Sequence, residues 1–180
     1  MRYSITQGLI KGLYLRHLYG KISRMKNTLS LDKFDYALLE RLQKDCHTPL
    51  RELAEVVHLS TASVQRRIQK LKEAGYIQAS VAVLDPEKLG QVITIMVEVH
   101  AEKTQAADLE LLKKMFSGPE IQQCYYVTGD ADFLLVLMVP SMSAFQAICD
   151  RLFHSNPNVK WFRTIVVLDR VKVGMEVLLS

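Results

Sequence analysis

From Leu31 onward the apolar positions recur every three or four residues. Phe34, Leu38 and Leu42, with Leu39 beside them, make one stripe and predict an amphipathic helix. Asp32 stands at its N-cap, and Asp35 in its first turn suits the positive end of the helix dipole. The helix stops before Cys46-His47-Thr48-Pro49. Thr48 is then expected to cap a second helix with Pro49 at its first position, where a missing N–H costs nothing. Leu50, Leu53, Ala54 and Val57 give that helix a stripe at i, i+3, i+4, i+7. His58-Leu59-Ser60 reads as a tight turn. Ser60 caps a third helix whose apolar positions are Val64, Ile68 and Leu71, and Gly75 supplies a left-handed stop. Two short helices joined by a three- or four-residue turn, with a longer helix before them, make a helix-turn-helix.

Past Gly75 the period changes. Tyr76 to Leu84 reads as extended and is broken by Asp85-Pro86. Gln91 to His100 is β-rich, Thr104 to Phe116 helical, Ile121 to Thr128 a strand, and Asp132 to Val139 another. Ser141 caps a helix to about Phe153, and Val159 to Leu168 is a last strand. The order β-α-β-β-α-β is the ferredoxin-like arrangement. The fold class is therefore α+β. The expected parts are an extension at 1–28, a helix-turn-helix domain at 29–78, a linker strand at 79–90 and a ferredoxin-like domain at 91–180.

Such a sheet has helices on one face only, so a half-solvated strand should alternate polar and apolar. Phe133-Leu134-Leu135-Val136-Leu137-Met138-Val139 does not alternate. Both faces are therefore expected to be buried, and a second copy of the chain is the economical cover. Leu135 and Leu137 share one face, and Leu134 and Val136 the other. The strand around Leu135 is expected under the partner, while the pattern leaves open which pair meets it.

An apolar fraction of 49% with 23% charged residues reads as globular. No run reaches the roughly 18 apolar residues of a membrane span, so no membrane partner is expected. Cys46, Cys124 and Cys149 stand alone, none at metal-ligand spacing, which points to a reducing, cytoplasmic setting and to no metal or cofactor. The net charge of +4 is unevenly placed. Residues 1–28 hold six Lys/Arg and no Asp/Glu, residues 29–80 eight against seven, and residues 81–180 nine against twelve. A basic front and a slightly acidic back suit a chain that meets nucleic acid at one end. The first 28 residues lack the unbroken apolar stretch of a secretory signal. They read as an upstream extension with Met25 as the natural start, as a basic DNA-contacting arm, or as an organelle transit peptide.

On a helical wheel, Ile68 and Leu71 lie within about 40° of Val64. The opposite face carries Ala62, Ser63, Arg66, Gln69 and Lys70, with Gln65 at its edge. No Asp or Glu lies between Ser60 and Lys72. A helix enters the major groove only if its outer face is polar, acid-free and slim near its start, and Ser60-Thr61-Ala62-Ser63 meets the last condition. Charge alone fits an ordinary solvated face; the capped helix and turn before it favour double-stranded DNA. Arg66 and Gln65 are candidates for base edges, Thr61 and Ser63 for phosphates or bases, and Lys70 and Lys72 for phosphates. Arg67 flanks the apolar stripe and is expected to brace the domain through an acid such as Glu52 or Glu55, or to touch DNA.

At this point the residues resemble the Lrp/AsnC, or feast/famine, family of bacterial and archaeal regulators. The resemblance runs through Leu31-Asp32-x-x-Asp35-x-x-Leu38-Leu39-x-x-Leu42-Gln43-x-Asp45 and Glu52-Leu53-Ala54. It continues in Leu59-Ser60-x-x-x-Val64-x-x-Arg67-Ile68-x-x-Leu71-x-x-x-Gly75-x-Ile77, Thr128-Gly129-Asp130-x-Asp132 and Arg163-Thr164-x-Val166-Val167. It covers about five-sixths of the chain, Leu31 to the end. Cys46-His47 departs from the usual small residue plus Arg, and residues 1–28 have no counterpart. The resemblance implies a winged-helix-like or linker-extended helix-turn-helix reader and an effector-binding, oligomerising second domain. It also implies dimers that assemble further, often to octamers, and effectors that are commonly amino acids. Such a regulator acts in the cytoplasm, associated with the nucleoid.

Thr128-Gly129-Asp130-Ala131-Asp132 by itself is a hairpin turn in which Gly supplies positive φ and Asp caps. The resemblance places the effector pocket there, between subunits. Thr128, Gly129, Asp130 and Asp132 become ligand candidates, with Thr164 and Ile165. A carboxylate suits an amino acid's ammonium, and turn N–H groups its carboxylate. Ile165 stands where some leucine-responsive members carry an aromatic residue, so leucine is not implied. Two other readings stay open. Some proteins resembling the family decarboxylate sirohaem with His and Arg, and His100 and His154 are available, although a lone His is usually structural. An architectural DNA binder without effector is the other. The expected function is a non-enzymatic, sequence-specific transcriptional regulator.

Overall fold

The computed structural model describes residues 29–102 and 106–179. The extension at 1–28, with Met25, lies outside them. The described chain groups into two compact units, residues 29–82 with 173–179, and residues 83–172. The tail groups with the helices, not with the sheet.

The first unit holds α1 (Lys33–Lys44), α2 (Leu50–Val57) and α3 (Thr61–Glu73). Asp32 caps α1 by accepting from Phe34 N and Asp35 N, and the Asp35 carboxylate accepts in return from Asp32 N, a reciprocal capping box. Pro49, not Thr48, occupies the N-cap of α2, which has no side-chain cap. The Thr48 hydroxyl instead donates 2.8 Å to the carbonyl of Asp45, satisfying the end of α1. His58 closes α2 in the left-handed region at φ 52°, and Gly75 (φ 77°) does so after α3. Leu38, Leu53, Ala54, Val57 and Val64 form one core, with Phe34, Leu42, Leu59 and Ile68 packed around it. Leu50 is half exposed at the start of the α2 stripe.

No strand forms between α3 and Ile93 among the described residues, so the reader shows no β-wing and the linker expected as a strand at 79–90 forms no ladder. A strand needs a neighbour, and this stretch has none among the described residues. Residues 86–90 are a turn whose start is bonded by the Asp85 carboxylate.

The second unit runs β1 (Ile93–Ala101), α4 (Ala106–Met115), β2 (Ile121–Tyr126), β3 (Phe133–Val139), α5 (Met142–Cys149) and β4 (Val159–Val166). Ser141 caps α5 by accepting from Ala144 N. A π-helical turn, Asp150–His154, extends α5 and buries Leu152 and Phe153 side by side. The sheet order is β2-β3-β1-β4, every pair antiparallel. Ile95, Val97 and Val99 of β1 and Phe133, Leu135, Leu137 and Val139 of β3 join Leu112, Phe116, Phe145 and Phe153 in the core.

Burial along β3 alternates despite the unbroken apolar sequence. Leu135 is fully buried, whereas Leu134 is 38% exposed on the open face. This decides between the two pairs that the pattern left open: Leu135 and Leu137 belong to the chain's own core, and Leu134 and Val136 lie on the open face. The open face carries Leu134, Met96, Ile165, Tyr125 and Trp161, aligned by the registers Met96↔Ile165, His100↔Trp161 and Tyr125↔Leu134.

Candidate nucleic-acid interface and effector turn

The left-handed His58 turns the chain between α2 and α3, and Leu59 N is drawn back to the carbonyl of Ala54 at 3.1 Å. Ser60 starts α3: its hydroxyl accepts from Ser63 N at 3.3 Å and donates to the Ser63 hydroxyl at 3.0 Å. Val64, Ile68 and Leu71 face inward. Thr61, Ala62, Gln65, Arg66, Gln69, Lys70 and Lys72 are exposed, and Ser63 is half-buried. Gln69 donates 2.8 Å to Glu73. Arg66, Lys70 and Lys72 form no ion pair among the described residues. The result is a polar surface with a slim start, Arg66 behind it, Lys70 and Lys72 in the last turn and no acid before Glu73, the shape and charge that a major groove accepts.

Arg67 points the other way. Its Nη1 lies 2.8 Å from Asp35 Oδ1 and 2.9 Å from Asp32 Oδ2, and its guanidinium sits 5.4 Å from the Phe34 ring centre. Glu52 and Glu55, the expected partners, pair elsewhere, with Arg41 at 2.6 Å and Arg51 at 3.3 Å. Position 67 on α3 faces the start of α1, so the nearest acids are the capping pair. Backbone N–H bonds, chiefly from Asp35, hold the Asp32 carboxyl below its ordinary range, with help from Arg67, and hydrogen bonds from the two acids push the Arg67 guanidinium up. From the sequence, Asp35 is legible as a partner of the α1 dipole and no more. Its burial, at 6% exposure, had no local signal.

In the second unit, Thr128, Gly129 and Asp130 are exposed at the turn between β2 and β3. Gly129 has φ 147°, a conformation that favours glycine. Asp132 is committed to the fold: its N–H donates to Val99 O, and its Oδ2 accepts from Ala101 N, both at 2.9 Å. Asp130 has no such tie among the described residues. Thr164 and Ile165 pair with Val97 and Met96, whereas Asp132 bonds at Val99 and Ala101. Ile165 is thus about 10 Å along the strand direction from that end. Within one chain the six candidates do not converge.

His100 is 7% exposed, its ring stacked at 3.5 Å on Trp161, and its Nε2 has no hydrogen-bond partner. A β-bulge between His100 and Ala101 accompanies this burial. His154 meets Phe162 edge-on at 5.1 Å. Both histidines are packed against rings. Burial raises the Cys149 thiol to about 11. No group of three or more metal-ligating side chains occurs among the described residues, and no helix among them is long and apolar enough to cross a membrane.

A helix-turn-helix with a free cationic outer face, joined to an α/β unit of this topology, defines a DNA-binding transcriptional regulator. Comparison with known proteins agrees. The model of the AsnC-type helix-turn-helix domain matches residues 31–72, and that of the Lrp/AsnC ligand binding domain matches residues 94–177. An uncharacterized HTH-type transcriptional regulator of Sinorhizobium fredii is 37% identical over 150 residues, 83% of this chain and 89% of the relative. The leucine-responsive regulatory protein of Escherichia coli K12 is 32% identical over 151 residues, 83% of this chain and 92% of that one. Among solved structures, an AsnC family regulator from Agrobacterium tumefaciens superposes with a TM-score of 0.77 at 30% identity, over 82% of this chain and 97% of that one. A Neisseria meningitidis regulator solved as an L-Met complex gives 0.76 at 29% identity, over 83% and 97%. The chain belongs to the Lrp/AsnC family of transcriptional regulators.

Proposed function

We propose that the chain reads operator DNA with α3 and answers an amino acid or related metabolite bound by its second unit. The observation that carries the reading is the exposed surface of α3, where Arg66, and Lys70 and Lys72 in the last turn, stand outside any ion pair among the described residues behind the slim Ser60–Ser63 start. Ser60, Thr61, Ala62, Ser63, Gln65, Arg66, Gln69, Lys70 and Lys72 form the DNA surface. Ser60 serves it through its cap, Arg66 and Gln65 read bases, and Lys70 and Lys72 hold phosphates. The effector site is Thr128, Gly129, Asp130 and Asp132, with Thr164 and Ile165 supplied across a dimer that assembles further through the open sheet faces. The separation of these two groups within one chain favours a site shared between subunits. The free Asp130 carboxylate takes the ammonium, whereas Asp132 shapes the turn. The L-Met complex of the Neisseria relative supports the ligand class. The protein works in the cytoplasm, at the nucleoid, as a regulator and not an enzyme.

The test is thermal shift of the full chain against the twenty amino acids, then operator binding with any hit. Asp130→Ala should abolish the shift and leave operator binding intact. A shift that survives Asp130→Ala places the effector elsewhere. A Soret band after incubation with haem would reopen the decarboxylase reading.

A further inference from the structure

The apolar stripe of α3 holds the helix against α1 and α2, but apolar contact is non-directional and leaves rotation about the helix axis weakly fixed. Reading a base edge demands more. At an outer radius of about 5–6 Å, a roll of about 20° carries a surface group about 2 Å. Hydrogen-bond donor–acceptor distances range over only about 0.5 Å. A directional contact fixes the roll of α3 more sharply than the packing of its apolar stripe alone.

We propose that Arg67 is that contact: a positioning residue that fixes the reading face of α3 by clamping it to the N-terminus of α1, without touching DNA. The clamp is the only ion pair of α3 with another helix among the described residues. One guanidinium nitrogen bridges both capping carboxylates, and charge-assisted hydrogen bonds of this kind are short and directional. The acids cannot yield easily, because Asp32 and Asp35 are already locked on each other's backbone N–H groups. The Phe34 ring flanks the guanidinium. At 28% exposure the Arg67 side chain is sheltered, whereas Arg66, 100° around the helix, is exposed and unpaired. Of the four basic residues on α3, three are presented outward and one aims them.

This inference rests on α3 being the DNA-reading helix, and the experiment separates the two. Duplexes selected by the full-length wild type from a random pool are compared with unselected duplex across a salt series. Arg67→Met and Asp35→Asn, each confirmed folded by circular dichroism at the assay temperature, should both lose about tenfold or more on selected DNA. Binding to unselected DNA should change by less than about twofold, and the salt slope should stay at its wild-type value. The double variant should be no worse than either single one, since both break the same contact. Arg67→Lys, which keeps the charge on a shorter side chain without the planar guanidinium, should recover part of the discrimination and serves if Arg67→Met does not fold.

Three outcomes overturn the proposal. Equal loss on both DNAs, with a salt slope lower by about one contact and a harmless Asp35→Asn, would make Arg67 a phosphate ligand. Equal loss on both at an unchanged slope would make the clamp merely structural. Full discrimination in both variants would remove its role. If the wild type selects no sequence at all, the reading role of α3 fails instead.

Discussion

The side-chain amide of Gln43 pairs with the backbone of Val177 as a neighbouring strand would. Its Nε2 donates to the Val177 carbonyl at 3.2 Å, and its Oε1 accepts from Val177 N–H at 3.0 Å. A residue on α1 thus holds the C-terminal tail, 134 positions away. Gln43→Met keeps the length of the side chain and removes both bonds. Exposed hydrogen bonds contribute modestly, so the first unit should lose about 1 kcal/mol, measured by denaturant unfolding. Amide exchange at Val177 should accelerate in the same variant. Unchanged exchange would mean the tail is held by something else.

Removing a base reader and removing a phosphate contact have different signatures. Arg66→Ala should cost about 1–3 kcal/mol on the selected operator and relax preference at one base position. Lys72→Ala should weaken all sequences alike and lower the salt slope by about one contact. Equal losses on operator and random DNA for Arg66→Ala would reassign it to the backbone.

The depressed carboxyl of Asp32 gives the first unit an acid sensitivity of known sign. A group whose pKa is lower folded than unfolded binds more protons when unfolded, so stability rises with pH across that range. The stabilisation is present above the ordinary value of 3.8 and is lost as pH falls through the lower folded value. Asp32→Asn should flatten the acid limb of the first unit's unfolding curve below about pH 5. An unaltered limb would assign acid sensitivity to other carboxylates.

The two faces of β3 should separate cleanly. Leu135→Ala or Leu137→Ala removes buried side chains from the core and should cost about 2–5 kcal/mol. Leu134→Asp should leave the second unit folded and lower the assembly state in ultracentrifugation. A wild type that sediments as a stable monomer would remove the interface, and the shared effector site with it.

What could be read in the sequence was what local geometry decides. Ser60 and Ser141 act as the expected caps because a hydroxyl three residues before a free N–H has one obvious partner. Gly75 ends α3 because the left-handed region suits it. Thr48 misled by one position, since its hydroxyl had a competing acceptor in the Asp45 carbonyl. The partners of Arg67 were hidden because a wheel gives the direction of a side chain but not what another helix places in front of it. In β3 every residue is apolar, so no polarity difference marked the outer face. The candidate DNA surface was legible nearly whole, because it lies on one helix. The candidate effector residues lie on the turn between β2 and β3 and on β4, and no spacing in the sequence brings them together.

The stack of His100 on Trp161 has a practical consequence. Trp161 is the chain's single tryptophan, 44% exposed on the open face of the sheet. The protein therefore carries a built-in optical probe at the surface where a second copy would sit. Its emission reports that surface alone, without a label. Drying of the indole by a partner should shift the spectrum to the blue as concentration rises. Loss of that shift on dilution, followed in time, gives the dissociation rate of the assembly directly from the unmodified chain.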